Sequence, residues 1–316
     1  MLIGVSACLL GQKVRYDGGH KKNRFCTNIL DDYVQWLPVC PEVEIGLGTP
    51  RNTIRLENDL NQIPRLVMPK TGEDLTEKMT NFSLQKTRML QRAGICGYIL
   101  KKDSPSCGMA RVKLHHGPNN PASNRDGVGA FAKILLREMP HLPVEEEGRL
   151  NDARLRENFI TRIHAYDRWL GLMKSNWKRK ELIRFHEEYK YVLMAHNQAG
   201  AKRLGKIIAK PDDYSSKQAW AEAYMDEFAL VMKKPASKKS HTNALLHLMG
   251  YLRKYADSQD RELIQNEILK YNKGYVPLIV PITLLKHFVE KFEIPYLLNQ
   301  VYLKPHPSEL MLLNQL

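Results

Sequence analysis

The stretch LIGVSACLLG, residues 2–11, is an apolar run with branched side chains that leads directly into Cys8 and ends in a glycine. Such a run predicts a buried β-strand, and Cys8 falls where that strand would end in a loop. Two further apolar runs lead into Cys40 and Cys107 in the same way. In an open parallel sheet the carboxyl ends of the strands lie along one edge, where ligands bind. We therefore expect the three cysteines to meet at one site, although they lie far apart in the sequence.

Strand-like and helix-like segments alternate over the first half of the chain. Residues 75–94 form a strong amphipathic pattern that ends in Gly94, a helix-stop signal. The proline-containing segment 50–74 predicts an irregular arm or a small hairpin, and residues 141–147 predict a last short strand. The order βαβαβ predicts an α/β domain, Rossmann-like with a mostly parallel sheet, over residues 1–148.

The sequence pattern changes around residue 148, where prolines, an acidic cluster and a glycine indicate a domain edge. From Arg149 onward, successive segments show helical periodicity. We therefore predict an all-α C-terminal domain over residues 149–316.

The amino-acid composition limits which classes of protein and which partners are possible. The 316 residues carry a net charge of +14, which favours nucleic acid or another polyanion as a partner, although a merely basic enzyme also fits. No apolar run is long enough to span a bilayer, and the apolar start lacks the basic region of a signal peptide. Five cysteines, an odd number without close pairs, do not indicate a secreted disulfide framework. We therefore expect a cytoplasmic protein without a membrane partner.

Three thiols at strand ends have several possible chemical uses. Structural zinc normally takes four ligands from closely spaced pairs, which this chain lacks, and catalytic zinc usually includes histidine or carboxylate. A disulfide would leave the third cysteine unexplained. An iron–sulfur cluster held by three cysteines leaves one iron open, and wide spacing does not forbid it.

The alternative is that the cysteines are small, inert core residues. Cys26 and Cys96 fit that description, because Cys96 falls within a predicted strand and Cys26 beside a predicted helix. Cys8, Cys40 and Cys107 fit it less well, since glycine or proline turn residues lie beside each of them.

Three motifs in the first half resemble those of a known family. They are SACLLGQKVRYDGGHK (residues 6–21), VCPEVEIGLGTPR (residues 39–51) and LKKDSPSCG (residues 100–108). Together they resemble the motifs of the TudS-like thiouracil desulfidases. In the second half, HTNALLHLMGYL, YVPLIVPITLLKH and LKPHPSEL resemble the YbgA-like domain. The fusion of the two domains resembles the RudS-type tRNA 4-thiouridine desulfidases.

The resemblance implies a 4Fe–4S cluster held by Cys8, Cys40 and Cys107. The fourth iron, which has no protein ligand, would take the sulfur of a thiolated pyrimidine. The resemblance also implies functional roles for Glu42 and Ser104, and thiolated tRNA as the partner. The expected activity is hydrolytic, non-redox removal of sulfur from 4-thiouridine in tRNA, which gives uridine.

The residue types at these positions suit that chemistry. Glu42, two residues after Cys40, is placed to activate water as a general base, and an open iron would act as a Lewis acid on the sulfur. Ser104, three residues before Cys107, would hydrogen-bond the base or move a proton. Each residue also has a plain structural explanation: Glu42 as a helix N-terminal carboxylate after Pro41, and Ser104 as an N-cap.

Arg15, Tyr16 and Asp17 follow the first predicted strand on the same edge of the sheet. They are candidates for the substrate pocket. The alternative is that VRYDGG forms an ordinary turn.

Basic segments interleave with aromatic residues in the second half of the chain. Cations track phosphates and aromatic rings can stack on exposed bases, which predicts tRNA binding there. The connection KKPASKKSH and the tail supply the RNA-binding candidates Lys238, Lys239, His241 and Lys304. The alternative is solvated helix faces over core aromatic residues.

Two other functions fit the same residues. The first is a desulfidase of free thiouracil, with the helical half serving oligomerisation. The second is a non-enzymatic RNA-binding protein with a structural or redox metal site.

Overall fold

The structure is a computed structural model that describes residues 1–117 and 122–316. The chain forms two compact units, Met1–Asn151 and Asp152–Leu316, and the division lies just after the domain edge predicted at residue 148. No helix in the part of the chain that the structure describes is long and apolar enough to cross a membrane.

The strands lie in the first unit and form two sheets. Within the described residues they are β1 Leu2–Ser6, β2 Gln35–Val39, β3 Arg55–Asn58, β4 Pro64–Met68, β5 Glu73–Asp74, β6 Gly97–Leu100, β7 Val112–His115, β8 Ser123–Gly127 and β9 Val144–Glu146. The first sheet has the order β2-β1-β6-β9 and is parallel throughout, as the sequence predicts for an α/β domain. The second sheet has the order β5-β4-β3-β7-β8 and is mixed.

The helices of the first unit are α1 Pro41–Glu44, α2 Thr76–Ala93 and α3 Ala130–Glu138. The predicted helix over residues 75–94 is confirmed, and Gly94 ends it with a φ of 74°. The predicted small hairpin is confirmed as the antiparallel pair of β3 and β4. Sequence patterning does not predict that this hairpin joins β7 and β8 in a second sheet, because that pairing is long-range.

Strand β1 is one of the two interior strands of the parallel sheet, and both of its faces are covered. Ile3 and Val5 are fully buried. Gly4 lies directly against the ring of Tyr98 on β6, because a Cβ at residue 4 would come within 2.2 Å of the ring carbon Cδ2. A strand that is buried on both faces typically has a continuous apolar sequence, as residues 2–5 do.

The second unit contains helices and no strand among its residues, as predicted. Its helices are α4 Ala153–Lys174, α5 Arg179–His196, α6 Gln198–Ala209, α7 Lys217–Met232, α8 Lys238–Leu252, α9 Ser258–Lys273, α10 Ile279–Lys291 and α11 Pro295–Leu298. Their apolar faces share one core that includes the rings of Trp220, Tyr224 and Phe228. The side chain of Asp152 caps α4 by accepting hydrogen bonds from the first amides of the helix.

Candidate functional site: a cavity lined by three cysteines

The register of the parallel sheet brings the three cysteines to one cavity. Ser6 at the end of β1 lies opposite Val39 at the end of β2. Cys8 and Cys40 follow these two strand ends directly, and Cys107 lies in the turn segment after β6. All three line one cavity of about 320 Å³. This volume falls in the range of small-ligand pockets, about 300 to 1,000 Å³.

Burial shifts the pKa values of all three thiols upward, and repulsion between the thiols adds to this shift at Cys8 and Cys107. Burial raises the pKa of Cys8 to about 11, and repulsion from Cys40 acts in the same direction. Burial also raises the pKa of Cys40, and it raises the pKa of Cys107 well above its ordinary value. Thiolate charge on Cys8 or Cys40 would raise the pKa of Cys107 further. Burial therefore favours the thiol over the thiolate form, and a soft metal group that bound these residues would displace protons.

The turn that carries Cys107 is fixed to the start of helix α3. The amides of Ala130 and Phe131 donate to the backbone carbonyls of Pro105 and Ser106, and the amide of Gly129 donates to Gly108. These carbonyls therefore satisfy amides that a helix N-terminus would otherwise leave without partners. The sequence SPSCG thus forms a rigid corner rather than a free loop.

Glu42 lies in the cavity wall with both carboxylate oxygens engaged. Arg51 donates from Nε and Nη2 to Oε2, at 3.0 and 2.5 Å, and the hydroxyl of Ser106 donates to Oε1 at 2.9 Å. The Arg51 side chain is only 4% exposed, and its Nη1 also donates to the carbonyls of Val14 and Gly48. Since a carboxylate oxygen accepts two hydrogen bonds, Oε1 can still accept one from a water or substrate.

Ser104 lines the cavity and also organises its own turn. Its Oγ accepts hydrogen bonds from the amides of Ser106 and Cys107, at 3.2 and 3.1 Å. Because Oγ is the acceptor in both bonds, its proton can still be donated, and a role toward a substrate is compatible with this capping geometry. Ser106, which no sequence signal distinguishes from Ser104, is the serine that contacts Glu42.

Two of the three residues predicted for the substrate pocket line the cavity. Arg15 and Tyr16 belong to its wall, and the guanidinium of Arg15 lies 5.3 Å from the centre of the Tyr16 ring. Asp17 is not among the lining residues; its carboxylate accepts from Arg15 Nη1 at 3.1 Å and from the amide of Gly19 at 3.0 Å. That backbone hydrogen bond from Gly19, with the nearby charge of Arg15, lowers the pKa of Asp17. Asp17 therefore orients Arg15 and shapes the turn.

Glu146, the last residue of β9, and Glu147, which follows it, hold the segment after β6. Glu147 accepts from the ammonium of Lys101 and from the amide of Lys102, the latter at 2.7 Å. Glu146 accepts from the amide of Met109 at 2.8 Å. Because these carboxylates are buried and hydrogen-bonded to the backbone, they fix the chain on both sides of Cys107.

Three thiols from separate strand ends are a donor set that fits an iron–sulfur cluster. In residues 1–117 and 122–316, no group of three or more His, Cys, Asp or Glu has the geometry to hold one metal ion. Cys8, Cys40 and Cys107 nevertheless share one cavity. In an iron–sulfur cluster each thiolate binds a different iron, so the sulfurs need not converge on one point. Cys26 and Cys96 are fully buried and do not line the cavity, as predicted for core cysteines.

The RNA-binding candidates of the second unit divide into exposed and buried residues. Lys238 and Lys239 are exposed in the first turn of α8, and Lys304 is exposed with Glu290 3.9 Å away. His241 is buried, and its Nδ1 lies 2.8 Å from the hydroxyl of Tyr302. The prediction of an RNA contact at His241 therefore needs correction, because the ring packs in the helical core and not on the surface.

Most of the aromatic residues that are candidates for stacking on bases belong to the core of the second unit. Trp169, Trp177, Tyr189 and Tyr191 are buried, whereas Tyr251 is exposed. Tyr251 therefore remains a candidate for stacking on a base, whereas the other four rings do not.

Comparison with known proteins agrees with this division of the chain. Residues 3–147 match the family model described as 2-thiouracil desulfurase, and residues 190–307 match the model described as protein of unknown function DUF1722. The uncharacterized protein YbgA of Escherichia coli (strain K12) is 28% identical over 158 residues, which cover 50% of this chain and 94% of that protein. The uncharacterized protein YbbK of Bacillus subtilis (strain 168) is 28% identical over 156 residues, which cover 48% of this chain and 99% of that protein.

One solved structure is also similar. It is that of the 4Fe-4S-dependent thiouracil desulfidase TudS, which has 32% sequence identity to this chain. The similarity covers 47% of this chain and 92% of that protein, with a TM-score of 0.38.

The fold and the cavity define a protein of two units, an α/β unit with a cysteine-lined ligand site and an all-helical unit. Residues 3–147 belong to the 2-thiouracil desulfurase family, and residues 190–307 belong to the DUF1722 family, so this chain joins the two.

Proposed function

We propose that the protein removes the sulfur atom of 4-thiouridine in tRNA and leaves uridine, with a 4Fe–4S cluster held by Cys8, Cys40 and Cys107. The observation that carries the proposal is the cavity that is lined both by three thiols from separate strand ends and by Glu42. Membership of residues 3–147 in the 2-thiouracil desulfurase family supports desulfuration of a thiolated pyrimidine, and the three-thiol donor set supports the cluster.

Replacing sulfur by oxygen at a pyrimidine carbon changes no net oxidation state. A water oxygen must attack the carbon, the carbon–sulfur bond must break, and the sulfur must leave as sulfide. When bound, the cluster would supply a soft Lewis acid suited to sulfur. The chain must supply the group that takes the proton of the water and the surfaces that orient the base.

Glu42 is the chain's candidate for the proton acceptor. Arg51 and Ser106 hold its carboxylate in place, and Oε1 can accept one further hydrogen bond. A general base held in place in this way needs little reorganisation when the water attacks. Arg15 and Tyr16 lie in the cavity wall, where the base would bind.

The substitution Glu42→Gln tests this role. We expect it to abolish turnover, because the amide cannot accept the proton, while the visible absorbance of the cluster persists. Glu77→Gln, on the exposed face of α2, is the matched control and should retain full turnover. Undiminished turnover by Glu42→Gln would reject the general-base role, whereas loss of the cluster absorbance would assign Glu42 to the fold of the site instead.

The tRNA part of the proposal rests on the second unit. Lys238 and Lys239 are exposed at the start of α8, and Lys202 and Lys206 are exposed on α6. Phosphate contacts by such lysines make binding strongly dependent on salt. The charge reversal Lys238→Glu/Lys239→Glu should therefore weaken tRNA binding and reduce its salt dependence, whereas turnover of free thiouracil should not change.

A desulfidase of free thiouracil is the second candidate, favoured by the substrate named in the description of the matching family. It predicts that the lysine reversal in α8 has no effect on any substrate. Comparing thiolated tRNA with free thiouracil in the same preparation separates the two functions.

A further inference from the structure

The hydroxyl of Tyr98 is a buried polar atom that has no hydrogen-bond partner among the described residues. Its side chain is fully buried, and Tyr98 is not among the residues that line the cysteine cavity. A buried hydroxyl without a partner is costly, because it has given up its hydrogen bonds to water and gained none in the protein. Such an atom calls for a group that supplies the missing partner.

The packing of the parallel sheet fixes the position of the Tyr98 ring. Tyr98 on β6 lies directly beside Gly4 on β1, and its ring lies against that glycine. The ring also packs on Phe131 in the first turn of α3, with the ring centres 5.9 Å apart. The ring is therefore held between the strand that leads to Cys8 and the helix that is fixed to the turn of Cys107.

The charges that act on the Tyr98 hydroxyl come from the cysteine site. Burial raises the pKa of Tyr98 well above its ordinary value, and the charge of Cys107 is the largest further cause, followed by Glu44, Cys40 and Cys8. All three cysteines thus lie within electrostatic range of this hydroxyl, and Cys107 acts on it most strongly. Because Tyr98 does not line the cavity, its hydroxyl acts on the cysteines from inside the protein and not from the space that a substrate would occupy.

Glu44 is the other group whose charge acts on this hydroxyl, and its carboxylate already has partners. It accepts a hydrogen bond from the amide of Cys40 at 3.3 Å and forms an ion pair with the ammonium of Lys86. Its charge also acts less strongly on the Tyr98 hydroxyl than that of Cys107. The sulfur of Cys107 is therefore the better candidate for the missing partner.

The sulfur of Cys107 changes as an acceptor when it binds a metal. Burial raises the pKa of Cys107, and a hydrogen bond with the hydroxyl of Ser6 acts against that effect. The oxygen of Ser6 accepts from the amide of Lys101 at 3.0 Å, which leaves its proton for the sulfur. A neutral thiol is a weak acceptor, whereas a metal-bound cysteine is a thiolate and accepts much stronger hydrogen bonds. A second hydroxyl donor therefore gains most when Cys107 is a ligand.

We propose that the hydroxyl of Tyr98 donates a hydrogen bond to the sulfur of Cys107 when Cys107 is a thiolate ligand of the 4Fe–4S cluster. The inference rests on the cluster of the proposed function and adds a positioning residue that acts on the iron through Cys107. A hydrogen bond to a ligand sulfur draws charge away from the iron and raises the reduction potential. The same withdrawal of charge strengthens an open iron as a Lewis acid toward a sulfur ligand.

The test compares the full-length parent protein with two tyrosine variants after anaerobic reconstitution of the cluster. Tyr98→Phe removes the hydroxyl and keeps the ring that packs on Gly4 and Phe131. Tyr189→Phe, in the core of the second unit, removes another buried tyrosine hydroxyl and is the matched control. Iron per chain, the reduction potential and the iron–sulfur stretching frequencies in resonance Raman spectra are measured for each protein. Thermal unfolding of the cluster-free proteins checks the fold.

We expect Tyr98→Phe to hold the cluster at a more negative reduction potential. The equilibrium constant for one-electron reduction should fall by about tenfold, because one hydrogen bond to a charged group is lost. The stretching frequencies of the bonds between iron and cysteine sulfur should rise, since the sulfur donates more charge to the iron. The melting temperature of the cluster-free variant should be unchanged or higher, because a hydroxyl without a partner is removed. Tyr189→Phe should keep the parent potential and frequencies.

A reduction potential and iron–cysteine frequencies in Tyr98→Phe that equal those of the parent would overturn the proposal. A frequency shift confined to the bridging sulfides would overturn it as well, because the hydrogen bond would then not end on Cys107. A parent protein that assembles no cluster would reject both this proposal and the proposed function.

Turnover of thiolated tRNA by the cluster-loaded parent protein is followed in parallel. If turnover is absent while the potential and the iron–cysteine frequencies shift in Tyr98→Phe, the proposed function fails and the role of Tyr98 stands. If turnover is present while Tyr98→Phe matches the parent in both measurements, the role of Tyr98 fails and the proposed function stands.

Discussion

Arg51 fixes Glu42 more completely than any other residue at the site. It donates two hydrogen bonds to one carboxylate oxygen and two more to the carbonyls of Val14 and Gly48. Replacing a guanidinium in such a buried arrangement by an uncharged side chain of similar length leaves the carboxylate without a cationic partner. The position of the Glu42 carboxylate therefore depends on a residue nine positions away in the sequence.

We expect Arg51→Met to lower the free energy of unfolding by about 3 kcal/mol, because a largely buried carboxylate loses its strongest partner. The exposed pair of Arg137 and Glu138 supplies the control, and Arg137→Met should cost less than about 1 kcal/mol. Urea unfolding of the cluster-free proteins measures both. Equal losses in the two variants would show that the Arg51 pair is no more important than a surface pair.

At this scale the sequence reveals which residue types belong to the site but not which of them touch. Glu42 and the three cysteines stand out because each lies at a strand end. Arg51 does not stand out, since the loop that brings it back to Glu42 has no periodic signal. Within SPSCG either serine could face Glu42, and the turn geometry selects Ser106 while Ser104 caps the backbone.

At the scale of elements, the site depends on the corner between β6 and α3. Carbonyls of the SPSCG turn cap the amides of α3, and Gly129 packs against that turn. A Cβ at residue 129 would come within 2.6 Å of the backbone of Ser106 and 2.8 Å of the amide of Gly108. Only glycine fits this contact, so the helix start and the cysteine turn are one rigid piece.

We therefore expect Gly129→Ala to displace the turn and reduce the amount of cluster that the protein holds after anaerobic reconstitution, measured as iron per chain. The displaced backbone should also lower the melting temperature. Gly205→Ala, on helix α6 with open space around it, is the matched control and should leave both values unchanged or slightly higher. Parent-like iron content in Gly129→Ala would contradict the rigid corner.

Helical phase explains why the prediction of an RNA contact failed at His241. The run KKSH is basic, which suggests an exposed segment, but α8 places His241 on the same face as Leu245 and Leu248, which are buried. Positions separated by four and seven residues share a helix face. The periodicity of the following apolar residues is the signal that predicts burial.

At the scale of the whole molecule, buried histidines make the folding stability of the second unit depend on pH. Burial lowers the pKa of His241 to about 3 and that of His196 to about 4. Both rings are neutral in the folded protein and protonated in the unfolded chain below about pH 6.5, so the unfolded state binds more protons there. Their contribution to stability is present above about pH 6.5 and is lost as the pH falls toward 4. Glu157, whose pKa burial raises to about 7, acts in the opposite direction.

Between about pH 7 and pH 4.5 the free energy of unfolding should change by about 2 kcal/mol less in His241→Gln than in the parent protein. The reason is that the variant lacks one group that binds a proton in the unfolded but not in the folded state. The groups that face this ring are His196, Arg154, Tyr271 and Tyr302, and all of them remain in the variant. Tryptophan fluorescence during urea unfolding reports on the second unit, which holds three of the four tryptophans. Parallel pH profiles for parent and variant would contradict the assignment.

Removal of sulfur from tRNA by the three-cysteine cavity is tested most directly by nucleoside analysis of thiolated tRNA after incubation with anaerobically reconstituted protein. We predict loss of 4-thiouridine, a matching gain of uridine, release of one sulfide per base, and no reaction with Cys107→Ser. Unchanged 4-thiouridine with fully loaded protein, or equal loss with Cys107→Ser, would contradict the proposed function.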